Sequence, residues 1–145
     1  MRNLSIAFCF VLGAFSARAS TKNPLIRVCH ADAGQFWIVH TLNQDEVPLC
    51  LFNSAGVGAE AFMLYKTNQQ VPQSIAAYFM SHQNSDLEQI CSDFCAEKVI
   101  TSDSTANSDF ICQFADGSVV EAKTLFLGPG QVETKVLDHA LSTTY

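Results

Sequence analysis

Leu49-Cys50-Leu51-Phe52-Asn53-Ser54-Ala55-Gly56 and Ile111-Cys112-Gln113-Phe114-Ala115-Asp116-Gly117 decide the reading of this chain. Cys50 follows Cys29 by 21 positions, and Cys112 follows Cys91 by the same 21. Both pairs repeat at an offset of 62 residues. With a one-residue deletion after the cysteine the match extends further. Gly56 then aligns with Gly117, Glu60-Ala61 with Glu121-Ala122, Leu64 with Leu125 and Tyr65 with Phe126. Spacing, order and residue character agree, so the chain reads as a tandem duplication of a unit of roughly 60 residues. Two copies are too few for a solenoid, and two small modules packed together fit better.

Local signals divide each copy in the same way. Asn23-Pro24 is an N-cap followed by proline at the first helical position, and this helix should end near Gly34. In the second copy Ser85-Asp86-Leu87-Glu88 has capping-box spacing, with Leu87, Ile90, Cys91 and Phe94 as an apolar stripe. Strand-like runs follow at 35–41 and 47–52, and at 98–101 and 109–114. Asp116-Gly117 marks a turn. The stretches 58–66 and 118–127 read as either strand or short helix. Phe36, Trp37, Phe52, Phe62, Phe79, Phe94, Phe114 and Phe126 are the expected aromatic core. The expected fold is α+β, with two small homologous modules, each a short helix packed on a β-hairpin through a helix–strand disulfide.

The N-terminus reads as a leader. Arg2 precedes an apolar run from Leu4 to Phe15, and Ala17-Arg18-Ala19 offers small residues for cleavage after Ala19. The expected organisation is a signal peptide at 1–19, a first module at 20–70, a connecting helix at 71–84, a second module at 85–130 and a C-terminal tail at 131–145. The tail is either a helix using Val132, Val136, Ala140 and Leu141 or a frayed end. Cleavage removes Arg2 and Arg18, so 8 basic residues fall to 6 against 14 acidic ones. The formal charge goes from −6 to −8. Such a chain repels phosphate backbones, which excludes nucleic acid as an expected partner. It also lacks the basic clusters that attract anionic lipid, and stable membrane insertion is not expected. The remaining partner classes are a protein or a small ligand.

Export implies an oxidising compartment, periplasmic or extracellular. The five cysteines after the leader then pair as Cys29–Cys50 and Cys91–Cys112, leaving Cys95 as a thiol. A bridge closing a loop of about 20 residues contributes roughly 3 kcal/mol in the chain-entropy model. A module of about 60 residues buries little surface, so this is a large share of its stability. Cys95 lies four positions after Cys91, on the same face if the helix continues. It reads as a buried small hydrophobe or as a reactive thiol. His30, His40, His82 and His139 form no helical metal motif, and no nucleophile elbow or phosphate loop occurs. No catalytic residue, metal ligand or cofactor is expected.

These residues resemble a known family. Asn23-Pro24, Cys29, Gly34, Leu49-Cys50-Leu51-Phe52, Glu60-Ala61-Phe62 and Leu64-Tyr65-Lys66 in the first copy carry the resemblance. So do Cys112-Gln113-Phe114-Ala115-Asp116-Gly117-Ser118, Glu121-Ala122 and Leu125-Phe126 in the second. The chain is similar to the bacterial domain of unknown function 333, a family often labelled hemolysin, in two divergent copies. The resemblance implies a small exported bacterial protein rich in cysteine and supplies no catalytic residues. The expectation is an exported, disulfide-tied, non-catalytic binding protein, such as an inhibitor or an envelope-associated module. The alternatives are a membrane-active, hemolysin-like effector and a thiol-dependent enzyme using Cys95.

Overall fold

A computed structural model describes residues 23–82, 86–102 and 109–143. The leader at 1–19 and Ser85 of the expected capping box lie outside them. The first copy comprises α1 (Pro24–Ala31), β1 (Gln35–His40), β2 (Glu46–Phe52), β3 (Ala55–Gly58) and α2 (Ala59–Lys66). Helix α3 (Gln73–Met80) connects it to the second copy, which repeats the order as α4 (Ile90–Asp93), β4 (Glu97–Ile100), β5 (Phe110–Gln113), β6 (Val119–Glu121) and α5 (Ala122–Leu127). Helix α6 (Lys135–Ser142) closes the chain. The two open stretches thus resolve into a short strand running straight into a helix.

All six strands form one antiparallel sheet in the order β1-β2-β3-β6-β5-β4. The copies are therefore halves of a single sheet, joined where Val57 faces Val120. The sheet curls until its two edges touch. Thr41 and Thr101 form a bridge, Leu42 N donates to Ile100 O at 3.3 Å, and Ser102 N donates to His40 O at 2.8 Å. A six-stranded sheet bent this far has no room for a helix inside it. The helices accordingly lie on the outer face, over a core that includes Cys29, Phe52, Phe62, Tyr78, Cys112 and Leu125. The inner face carries its own cluster of Val39, Leu49, Ile111 and Val119, flanked by Trp37, Val47, Leu51 and Val99. Alternation along β1, β2, β5 and β6 feeds both clusters, while β3 adds Ala55 and Val57 to the outer one and β4 adds Val99 to the inner one.

Each disulfide fastens a helix to the middle strand of its hairpin. Cys29 on α1 bonds Cys50 on β2 with Cα atoms 5.4 Å apart, and Cys91 on α4 bonds Cys112 on β5 at 5.1 Å. Helix α1 begins as its sequence requires, with Asn23 Oδ1 accepting from Leu25 N at 3.0 Å. Its end is a left-handed cap at Ala33, φ +62°, with Gly34 N donating to Cys29 O. Gly34 is needed for a close approach, because a Cβ there would sit 2.6 Å from the Phe52 ring.

The second copy departs from expectation at its helix. Asp86 Oδ1 accepts from Glu88 N and Asp86 O from Gln89 N, so a turn over 86–89 leads into α4, which is a single turn. Cys95 then occupies the left-handed cap position, φ +56°, with Ala96 N donating to Cys91 O. It is the counterpart of Ala33. The shared helical face with Cys91 is thereby corrected, because the helix stops before Cys95, and the thiol is exposed instead of buried.

The repeat alignment also changes after the hairpin. Cys50 faces Val57 across β2–β3, and Cys112 faces Val120 across β5–β6. The first copy turns with Asn53-Ser54 between paired Phe52 and Ala55. The second turns with Ala115-Asp116-Gly117 between hydrogen-bonded Phe114 and Ser118. The longer turn makes the difference an insertion in copy two, where the sequence match suggested a deletion. Ala59 therefore corresponds to Ala122 at the two helix starts, and Gly58 to Glu121. Glu60 and Glu121 are not equivalent: the former is exposed and the latter buried.

That shift explains the seam. The inward positions of β3 are Gly56 and Gly58, and β6 fills the space they leave. A Cβ on Gly56 would lie 2.5 Å from Glu121 Oε2, and one on Gly58 would lie 2.8 Å from Val119 Cγ2. Gly56 N also donates to Thr124 Oγ1 at 2.8 Å, across the seam.

The tail is a docked helix, and the frayed alternative is set aside. Leu137, Ala140 and Leu141 of α6 are buried, while Val132 is exposed ahead of the helix. Lys66, fully buried at the end of α2, donates to Ala140 O at 2.7 Å, to Thr143 Oγ1 at 2.9 Å and to Thr143 O. It also pairs with Asp32 Oδ1 at 3.1 Å. Tyr65 Oη donates to Leu141 O at 3.1 Å, and Tyr78 Oη donates to Asp138 Oδ1. Burial and the Asp138 carboxylate both push the Tyr78 phenol well above its ordinary range, so it stays a donor. Phe79, an expected core aromatic, is 44 % exposed, resting against Tyr65 with ring centroids 6.1 Å apart. No helix among the described residues is long and apolar enough to cross a membrane.

Candidate functional site

At one end of the curled sheet a cleft of about 260 Å³ opens between the two copies. The first copy supplies the start of β2, the end of β3 and one side of α2, and the second supplies the β5–β6 turn. Val47, Pro48, Leu64 and Val119 give it an apolar floor. Glu46, Glu60 and Asp116 bring three carboxylates to it, with the amides of Gln70 and Gln113 between them. No Lys, Arg or His is among its lining residues.

Asp116 is the most tightly positioned of these groups. Its Oδ1 accepts from Ser118 N at 2.9 Å and from Ser118 Oγ at 2.6 Å. Its Oδ2 accepts from Gln73 N at 2.8 Å, and Gln73 Oε1 accepts from Asp116 N in return. Gln73 is the first residue of α3, so an acid from the second copy caps the connecting helix. Ser74 N is satisfied likewise by Ser118 Oγ at 2.9 Å. Burial pushes the Asp116 carboxyl up, but the donors from Gln73 and Ser118 outweigh it. The group is held below its ordinary value and is ionised near neutrality. Glu46 and Glu60 are exposed on the rim, Glu46 within 3.9 Å of His40 Nε2.

Of the other candidate residues only His40 adjoins this cleft, through Glu46. Cys95 is an exposed thiol on the cap after α4. His30, His82 and His139 are exposed, and His40 lies 3.9 Å from Glu46. Cys29 is bound in its disulfide, so the neighbouring His30 has no thiol there to activate. Among the described residues no group of three or more His, Cys, Asp or Glu side chains is arranged to hold a metal ion.

The sequence marks Asp116 as a turn residue and leaves Glu46 between the strand-like runs 35–41 and 47–52. Their convergence depends on β2 and the β5–β6 turn meeting at the same end of the sheet. The one available signal was Pro72 at a helix start with no capping side chain of its own, which left α3 needing an acceptor from elsewhere. Compared with protein-family models, curated proteins and solved structures, the chain finds no match in any of the three.

Proposed function

We propose that the chain is an exported, non-catalytic binding protein that seats a basic side chain of a partner protein in the cleft between its two copies. The cleft itself carries this reading. At about 260 Å³ it is smaller than the roughly 300–1,000 Å³ of small-molecule sites and suits one inserted side chain. An aliphatic stem would lie on Val47, Leu64 and Val119, and its cationic head would meet Glu46, Glu60 and Asp116. The acidic balance of the whole chain, formal charge −6, would speed encounter with a basic partner. Two disulfides suit an oxidising compartment, and the leader-like N-terminus supports export.

The test is a comparison of immobilised parent protein with Glu60→Lys in a pull-down from envelope and culture fractions. Glu60 is exposed, so the charge reversal leaves packing intact. A protein retained by the parent and lost with Glu60→Lys supports the reading. Equal retention by both refutes the cleft as the site.

A further inference from the structure

Among the described residues the curled sheet closes around the Thr41–Thr101 bridge. Past the Thr41–Thr101 bridge, β4 has no strand on its outer side among the described residues, because the chain turns at 42–45 and leaves as β2. The gap between β4 and that turn is a slot of about 590 Å³. Its inner wall is Val47, Val99 and Gln113, and Asp45, Glu46 and Glu97 stand around it. Thr41, bridged to Thr101, closes one end of it.

Backbone polarity along β4 follows from the bonds that are made. Ile100 O accepts from Leu42 N, away from β5, whereas Thr101 N donates to Asp109 O beside β5. In an antiparallel ladder the direction alternates, so Lys98, two residues before Ile100, turns its N–H and C=O into the slot. The Lys98 side chain points elsewhere: its ammonium pairs with Glu88 and lies 4.1 Å from the Phe110 ring centroid. The slot therefore offers an unpaired strand edge, an apolar inner wall and carboxylates on its rim.

We infer that this slot takes an extended basic segment of a partner protein, which adds a strand along β4 and completes the sheet. The inference rests on the binding reading above and extends it, since slot and cleft share Glu46, Val47 and Gln113. A segment lying on β4 leads directly to the cleft. Main-chain bonds to Lys98 supply affinity, and alternate side chains meet Val47 and Val99. Charge selects the occupant. A second copy of this chain carries the same negative balance and would be repelled by the carboxylates on the rim.

The probe is a labelled, end-blocked octapeptide of alternating Lys and Val, titrated by fluorescence anisotropy against the oxidised protein. The comparisons are the same peptide N-methylated at alternate residues, and a Glu/Val peptide. Lys98→Pro removes the slot-facing N–H at an edge position where proline is tolerated, and Lys98→Ala removes only the side chain. The expected result is binding of the Lys/Val peptide, weakened about tenfold by N-methylation and by Lys98→Pro, with Lys98→Ala not weakening it. N-methylation also covers the case in which Lys98→Pro fails to fold. Equal binding of the N-methylated peptide overturns strand addition, and equal binding of the Glu/Val peptide overturns the charge selection. No binding of the Lys/Val peptide at millimolar concentration also overturns it, while the cleft reading keeps its own test. Binding lost in Glu60→Gln but indifferent to N-methylation assigns the peptide to the cleft alone and refutes the slot.

Discussion

Replacing Lys66 by Met keeps the aliphatic stem and deletes one buried cation. Its Nζ holds the Asp32 carboxylate and the Ala140 and Thr143 carbonyls together, tying α1 and α6 to the end of α2. Removing one partner of a buried ion pair costs about 3–5 kcal/mol when the other charge stays buried. Asp32 keeps 11 % of its side chain in water and Thr143 is exposed, so part of that penalty is relieved by hydration. We expect a loss of about 3 kcal/mol, or roughly 10 °C in Tm for a domain of this size. Urea denaturation followed by Trp37 fluorescence and far-UV circular dichroism measures it, and hydrogen exchange should show α6 losing protection before the sheet. Asp32→Asn in the Lys66→Met background should recover at least about 1 kcal/mol, since the carboxylate charge that faced Lys66 is then removed as well. A Lys66→Met protein within about 0.5 kcal/mol of the parent would refute the reasoning, as would a double variant showing no coupling.

Three further outcomes are expected. Gly56→Ala should destabilise by about 1–3 kcal/mol in urea, because its Cβ would meet Glu121 Oε2 at 2.5 Å and Leu51 Cδ2 at 2.8 Å inside the seam. The depressed Asp116 carboxyl contributes stability that is fully present above its ordinary value of 3.8 and is lost as pH falls through the lower folded value. The Tm advantage of the parent over Asp116→Asn should therefore hold from pH 7 to 5 and shrink in stronger acid, and an advantage that grows with acid would contradict the capping role. Cys112→Ser should cost about 2–5 kcal/mol, and non-reducing peptide mapping of the parent should yield Cys29–Cys50 and Cys91–Cys112 with Cys95 alkylated in the native state.

The disulfide-tied halves were legible because a helix–strand bridge fixes its own spacing, and 21 residues twice at one offset leave little else to fit. Asn23-Pro24 announced α1 for the same local reason. What escaped the sequence was set by contacts between the copies. One residue in the β5–β6 turn decides whether Glu121 matches Glu60 or Gly58, and residue types alone favoured the wrong choice. Lys66 is buried by α6, which arrives from 74 residues away, and no local pattern announces such a contact. Cys95 misled because helical spacing was extended past the end of α4 at Asp93, where the chain turns left-handed at Cys95 itself. The cleft needed the joined sheet, since its two walls lie in different copies.

The seam between β3 and β6 has a thermodynamic consequence. Each half alone would be a three-stranded, open piece with an unpaired β3 or β6 edge, and neither disulfide among the described residues crosses between the halves. Closure is in effect the dimerisation of two half-sheets whose partners are tethered through α3, so each sees the other at a fixed effective concentration set by that tether. Assembly therefore does not weaken on dilution, as a pair of separate half-molecules would. Tethering also lifts the demand that both partners be identical, and the seam has used that freedom: glycines on one side, Glu121 and Val119 on the other.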